Sequence, residues 1–207
     1  MTCFEIATAK EYFYNKDYKK ALDIFLKTNN NYETGLCYLL LKDEKKAKSF
    51  WLKEKKSSMA CAFGLCILDF IHLKENKNAK FFQTRAFLEV YLNLFLENNL
   101  IEWAQNLISC CEYLYMANPE TYKFIARSLF ANGYFDLAIT FCKKSLRLFY
   151  SDPEAFLILS QCQYLTGDLA EAIDSINRIL NMVDDYYPAI IFRQILLEES
   201  EKKRQQN

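Results

Sequence analysis

Glycine, proline and histidine are scarce in this chain of 207 residues, which contains four glycines, three prolines and one histidine. A β-sandwich or barrel of this length needs many tight turns, and so few turn-forming residues leave little material for them. Apolar stretches are also short, because the run over residues 59–73 is interrupted by Asp69 and falls below the ~20 residues that span a bilayer. These absences favour an all-α fold and predict no membrane partner.

Apolar residues are abundant at 52% of the chain, with 25% charged residues, which is typical of a folded soluble protein. Twenty-six basic residues balance 26 acidic ones, so we expect no nucleic-acid partner. The charge is nevertheless polarised: residues 1–85 carry 16 Lys/Arg against 10 Asp/Glu, and residues 86–207 carry 10 against 16. This asymmetry raises the hypothesis of weak head-to-tail self-association, with solvated charged faces as the alternative.

The eight cysteines lie mostly inside apolar helical runs, as Cys37 does, where free thiols act as small hydrophobes. Residues 1–28 lack the apolar core and cleavage site of a signal peptide, so we expect reduced thiols and a cytoplasmic location. A Cys/His enzyme would depend on His72, which we expect to be a packing residue on a helix. No phosphate loop or zinc spacing is present, so we expect no catalytic residue, no metal and no cofactor.

Rare residues recur at a fixed interval in the second half of the chain. Pro119 and Pro153 are 34 positions apart, and Gly133 and Gly167 repeat the same interval. A ladder of alanines follows it as well, at Ala104, Ala138 and Ala172. A period of about 34 residues indicates an array of structural repeats.

Each period has the pattern of a helical hairpin. Residues 120–131 form an amphipathic helix by their apolar spacing, and Asn132-Gly133 interrupts it. Glycine can take the left-handed conformation that ends a helix, and a second helix is predicted over residues 137–146. Pro153 then begins the next hairpin, because proline fits the first turn of a helix.

Small residues at mid-helix positions predict close stacking of the hairpins, since large side chains there would hold helices apart. These residues are Ala126, Ala138, Ser160 and Ala172. Together with the turn segments 133–138 and 167–172, the pattern resembles the tetratricopeptide repeat (TPR), most clearly over residues 86–186. The resemblance implies a right-handed α-solenoid of stacked antiparallel helix hairpins, a TPR-like superhelix with a C-terminal capping helix.

We predict one TPR-like domain over residues 1–207, in which the unit at 57–84 is degenerate. Gly35 and Gly64 fall in helical stretches, where glycine costs roughly 0.5–1 kcal/mol relative to alanine, so close helix packing is the expected reason for them. The approximate hairpins are 2–28, 29–56, 57–84, 85–118, 119–152 and 153–186, followed by a capping helix over 187–205.

The resemblance implies a scaffold or adaptor for protein–protein interaction. In that family the first helix of each hairpin lines a concave groove, which grips an extended or helical segment of a partner protein. The alternatives are a chaperone for a secreted or aggregation-prone client and, more remotely, an enzyme with Cys/His chemistry. The groove candidates carried over are Phe13, Leu39, Leu68, Glu89, Asn93, Leu96, Lys123, Arg127, Phe130, Leu157, Gln161 and Tyr164.

Two of these candidates, Lys123 and Arg127, are one helical turn apart and should project together. They are predicted either to pair with a carboxylate of the partner or to form a solvated basic spot.

Overall fold

The computed structural model describes residues 3–74, 76, 80–116, 118 and 120–205. All regular secondary structure in these residues is helical, which confirms the predicted all-α class. The helices are α1 Cys3–Tyr14, α2 Tyr18–Lys27, α3 Asn31–Leu40, α4 Glu44–Glu54, α5 Met59–Phe70, α6 Phe81–Glu97, α7 Ile101–Cys111, a 3-10 helix Glu112–Met116, α8 Thr121–Ala131, α9 Phe135–Leu148, α10 Pro153–Leu165, α11 Leu169–Met182 and α12 Tyr187–Gln205.

The chain divides into two compact units. The first unit comprises Met1–Phe87 and Leu100–Cys110, and helices α1 to α5 within it each pack on the next. The second unit comprises Leu88–Asn99 and Cys111–Asn207, and helices α8 to α12 within it do the same. Because the connections are short, consecutive helices run antiparallel and form the predicted hairpins.

Helix ends in the second unit lie at the glycine and proline residues that recur in the sequence. Gly133 and Gly167 have φ angles of +80° and +93°, so each has the left-handed conformation predicted for the end of a first helix. At the start of α10 the side chain of Asp152 accepts a hydrogen bond from the backbone N–H of Ala155, and Pro153 occupies the first turn. These caps fix where each hairpin begins and turns.

The small residues lie where the helices approach, as predicted. Ala126, Ala138, Ser160 and Ala172 are all fully buried. Ser160 also donates a hydrogen bond of 2.7 Å from its hydroxyl to the backbone carbonyl of Ala172, which joins α10 to α11. The repeat therefore brings helices together through small side chains at matched positions.

The two helical glycines of the first unit both face one indole. Trp51 in α4 is fully buried, and a Cβ atom placed on Gly35 in α3 or on Gly64 in α5 would overlap its ring. The indole Nε1 donates a hydrogen bond of 3.0 Å to the backbone carbonyl of Tyr32. Close packing of three helices around Trp51 confirms the predicted role of both glycines.

The segment 57–84 contains α5 and only the first turn of α6, with part of the connection between them outside the described residues. Helix α5 packs on α3 and α4, and Phe63 stacks on Phe87 of α6 at 5.2 Å between ring centroids. No second helix of the usual kind therefore follows α5 in the described part of this segment. The longer helix α6 takes up the chain from Phe81.

Candidate partner-binding surface

The twelve groove candidates occupy first helices, but their exposure differs. Phe13, Leu39 and Leu68 belong to the first unit, and the other nine belong to the second. Leu39, Leu68 and Leu96 are buried, so they contribute packing of the core rather than exposed surface. The candidates that remain partly exposed are Phe13, Glu89, Asn93, Arg127, Phe130, Leu157, Gln161 and Tyr164.

Lys123 of α8 is buried among three carboxylates. Its ammonium lies 2.9 Å from Asp152, 3.0 Å from Glu120 and 3.0 Å from Glu154. The side chains of Lys123 and Asp152 are each only 6% exposed. The expectation that Lys123 is a solvated basic spot or pairs with a partner is therefore wrong, because its charge is already neutralised within the chain.

Arg127 lies one turn further along α8 and joins three first helices. Its Nε and one terminal nitrogen donate to the two carboxylate oxygens of Glu89 in α6 at 2.7 and 2.8 Å, which is a bidentate pair. Its other terminal nitrogen donates to Glu154 in α10. Glu154 thus binds both Arg127 and Lys123, so these side chains form one ion-pair network across α6, α8 and α10.

The electrostatics of the network follow from these contacts. Burial disfavours the charge of Lys123, but hydrogen bonds to Asp152, Glu120 and Glu154 outweigh that effect and raise its pKa. Hydrogen bonding to Glu89 likewise raises the pKa of Arg127. The network holds four carboxylates and two cations, so it presents a net negative rather than a basic surface.

Further polar and aromatic contacts extend this surface within the second unit. The side-chain amide of Asn132 donates to Asn93 at 3.0 Å, which adds another link to α6. In α10, Leu157, Gln161 and Tyr164 follow Glu154 at three- and four-residue steps and so share one side of the helix. Tyr164 meets Phe192 of α12 edge to face at 5.9 Å.

We call this set of partly exposed residues the first-helix surface: Glu89, Asn93, Arg127, Glu154, Leu157, Gln161, Tyr164 and Phe192. It combines fixed charges, amides and aromatic rings. Sequence reasoning missed Glu154, Asp152 and Glu120. Glu120 stands three residues before Lys123, a spacing that signals a helical ion pair, whereas Asp152 and Glu154 come from the next hairpin.

The residues considered for chemistry are His72 and the cysteines. His72 lies just beyond α5, where it is exposed and its Nε2 is 2.8 Å from Glu44, so its expected packing role is wrong. Burial raises the pKa of the thiol of Cys66 to about 11. Among the described residues, no group of His, Cys, Asp and Glu side chains is arranged to hold a metal ion. None of the described helices is long and apolar enough to cross a membrane.

Comparison with known proteins gives matches in structure alone. No protein-family model matches the chain, and neither does any curated protein sequence. Among solved structures, the C-terminal part of a TPR repeat-containing protein from Cytophaga hutchinsonii is 19% identical, with a TM-score of 0.51. The alignment covers 98% of this chain and 74% of that one.

Two further structures are more distant. YrrB, described as a TPR protein with an unusual peptide-binding site, is 14% identical over 92% of this chain and 90% of its own, with a TM-score of 0.47. The TPR2AB domain of yeast Sti1, solved as a complex with pHSP90, is 15% identical over 93% and 81%, with a TM-score of 0.42. The stacked hairpins and the Cytophaga structure together show that this chain has the fold of tetratricopeptide repeat proteins.

Proposed function

We propose that this protein is an adaptor that binds a peptide or helix of a partner protein on its first-helix surface. The observation that carries the proposal is the ion-pair network joining Glu89, Arg127 and Glu154, which come from three successive first helices. Both partners of each ion pair in this network are held in position. The neighbouring side chains are therefore in place before a partner protein binds. Preorganisation of this kind lowers the cost of binding.

The composition of the surface supports a segment that makes both apolar and polar contacts. Leu157, Tyr164 and Phe192 offer apolar area on α10 and α12, and Gln161 offers an amide donor and acceptor between them. Tyrosine is favoured at protein interfaces because its ring buries area while its hydroxyl can bind a polar group. Backbone groups of an extended segment could be satisfied by Asn93 and Gln161.

We also propose that the protein acts without catalysis and in the cytoplasm. The cysteines whose side chains are described carry free thiols. A nucleophilic cysteine needs a lowered pKa, whereas burial raises the pKa of Cys37 and of Cys162, each to about 12. Buried thiols of this kind support a packing role in a reducing compartment.

The proposal is tested by a pair of tyrosine variants. Tyr164→Ala removes a ring from the first-helix surface. Tyr150→Ala removes an exposed ring just beyond α9, which lines a groove with Phe156 and Arg178 that contains no residue of the first-helix surface. Partners captured from native lysate by the intact chain are identified, and the affinity of each purified partner for both variants is measured. We expect Tyr164→Ala to weaken binding about tenfold and Tyr150→Ala to leave it unchanged, as for an interface hot spot. Equal affinities for both variants would refute the assignment of the surface.

A further inference from the structure

The last helix, α12, exposes residues at positions that its counterpart α10 buries. The period of the repeat aligns Ala155 with Ala189 and Cys162 with Leu196, and all four of these side chains are fully buried. Helix α12 therefore packs on the preceding hairpin in the same orientation as α10 does. The same 34-residue period also relates α12 to the side of α10 that contacts α11, the second helix of the α10 hairpin.

That side of α10 is covered by α11. Ser160 donates to the backbone carbonyl of Ala172, the hydroxyl of Ser175 donates to Gln163 at 2.8 Å, and the ring of Phe156 lies 6.0 Å from the guanidinium of Arg178. All three residues of α10 are buried. Their equivalents in α12 are Ile190, Gln194 and Leu197.

These equivalents in α12 are exposed instead. Ile190 is 44% and Leu197 is 39% exposed, and with Leu180 of α11 they form the apolar part of a cavity of about 440 Å³. We call this cavity the α12 surface. It corresponds in position to the place that α11 occupies on α10, and no described helix covers it.

We propose that the α12 surface binds an amphipathic helix from a partner protein, in the position where a second helix would complete the hairpin. This site is separate from the first-helix surface and goes beyond the function proposed above. The geometry favours a helix over an extended segment, because a helix, α11, covers the equivalent surface of α10. Packing of a helix would bury the two exposed aliphatic side chains of α12.

The charges around the α12 surface specify the flanks of that helix. Asp184, Glu198 and Glu201 line the cavity, against Arg193 as the one cation among its lining residues. Arg193 is already engaged, since its Nε donates to Asn177 at 2.9 Å. The excess of carboxylates complements lysine or arginine on both sides of an apolar stripe.

The apolar stripe of the partner helix can be inferred from α11. Ala172, Ile176 and Ile179 of α11 are fully buried, and they follow one another at four- and three-residue steps. The small residue allows the close approach at the crossing point, and the two isoleucines fill the space beyond it. The partner is thus a basic amphipathic helix with a small residue one turn before a branched apolar one.

The test uses a labelled peptide with the sequence of residues 168–183, altered by Glu171→Lys and Asp174→Lys to give it basic flanks. Its affinity for the full chain is measured by fluorescence anisotropy. Ile190→Lys should weaken binding about tenfold or more, because it removes apolar contact and adds a like charge. The matched control is Ile195→Lys, the same change on the same helix at 43% exposure but outside the cavity, and it should change affinity by less than about twofold.

Two further measurements complete the test. The unaltered, more acidic peptide should bind more weakly than the basic one, and the difference should shrink in high salt. Absence of binding by the basic peptide, or equal weakening by both lysine variants, would overturn the proposal. Sedimentation of the chain alone should give a monomer, and a dimer abolished by Ile190→Lys would show that a second copy covers the surface instead. Unchanged partner binding by Tyr164→Ala would refute only the first-helix surface.

Discussion

The substitution Gly35→Ala tests the packing of the first unit most sharply. The added Cβ would lie 2.5 Å from Cε2 and 2.6 Å from Cδ1 of Trp51, whereas carbon atoms normally approach to about 3.5–4.0 Å. The indole must therefore move by about 1 Å, although it is fully buried and hydrogen-bonded to Tyr32.

The magnitude can be worked from the separate effects. Overpacking of this kind costs about 1–3 kcal/mol, and disturbance of the hydrogen bond between Trp51 and Tyr32 adds about 1 kcal/mol. Alanine recovers about 0.5–1 kcal/mol through its higher helix propensity. The expected net loss in the free energy of unfolding is about 1–3.5 kcal/mol.

The assay is urea unfolding followed by circular dichroism in a double-mutant cycle with Trp51→Leu. Once the indole is absent, Gly35→Ala should become neutral or stabilise by about 0.5–1 kcal/mol, so the sign of its effect changes. Gly64→Ala should show the same dependence, because its Cβ would lie 2.7 Å from the same ring. A loss below about 0.5 kcal/mol for Gly35→Ala in the native background would refute the reasoning.

Three further predictions concern stability. Lys123→Met should lower the free energy of unfolding by about 3–5 kcal/mol, because it leaves Asp152 buried without its cation. Adding Asp152→Asn should restore part of that loss, as measured by urea unfolding. Burial, with repulsion from Glu33, raises the pKa of Cys37 to about 12 from an ordinary value near 9, so the unfolded chain loses this proton first as pH rises. Stability should be full below pH 9 and fall above it by up to about 1.4 kcal/mol per pH unit for this thiol, a slope that Cys37→Ala removes. Gly133→Ala should lower the free energy of unfolding by about 1 kcal/mol at any pH, because the positive φ of this residue disfavours a side chain although there is space for one. A neutral effect in thermal or urea unfolding would contradict this.

Much of the fold could be predicted because the repeat depends on positions that few residue types can occupy. Gly133 and Gly167 supply the positive φ, and Ala138 and Ala172 permit the close approach, so period and hairpin boundaries follow from local chemistry. The two glycines of the first unit could be assigned to packing, but the residue they pack against could not. Trp51 lies on a different helix from either, and nothing local connects them.

The candidate surface was less predictable because it also depends on contacts between residues that lie on different helices. Lys123 has the sequence of an exposed helical lysine, and its burial depends on Asp152 and Glu154 at the start of the next hairpin. The apolar half of α12 was equally ambiguous, because sequence alone does not show which side of a terminal helix is covered. Ile190 and Ala189 are adjacent in the chain, yet one is exposed and the other is fully buried.

The central claim is that the first-helix surface of the second unit holds a segment of another protein. It is tested most directly by photo-crosslinking from single benzoylphenylalanine residues placed at Gln161 of α10 and, as the matched control, at Thr140 on the exposed side of α9. Irradiation in native lysate, followed by mass spectrometry of the products, should give a discrete crosslinked partner peptide from position 161 and none from position 140. Identical product patterns from the two positions, or a partner crosslinked only from position 140, would contradict the account.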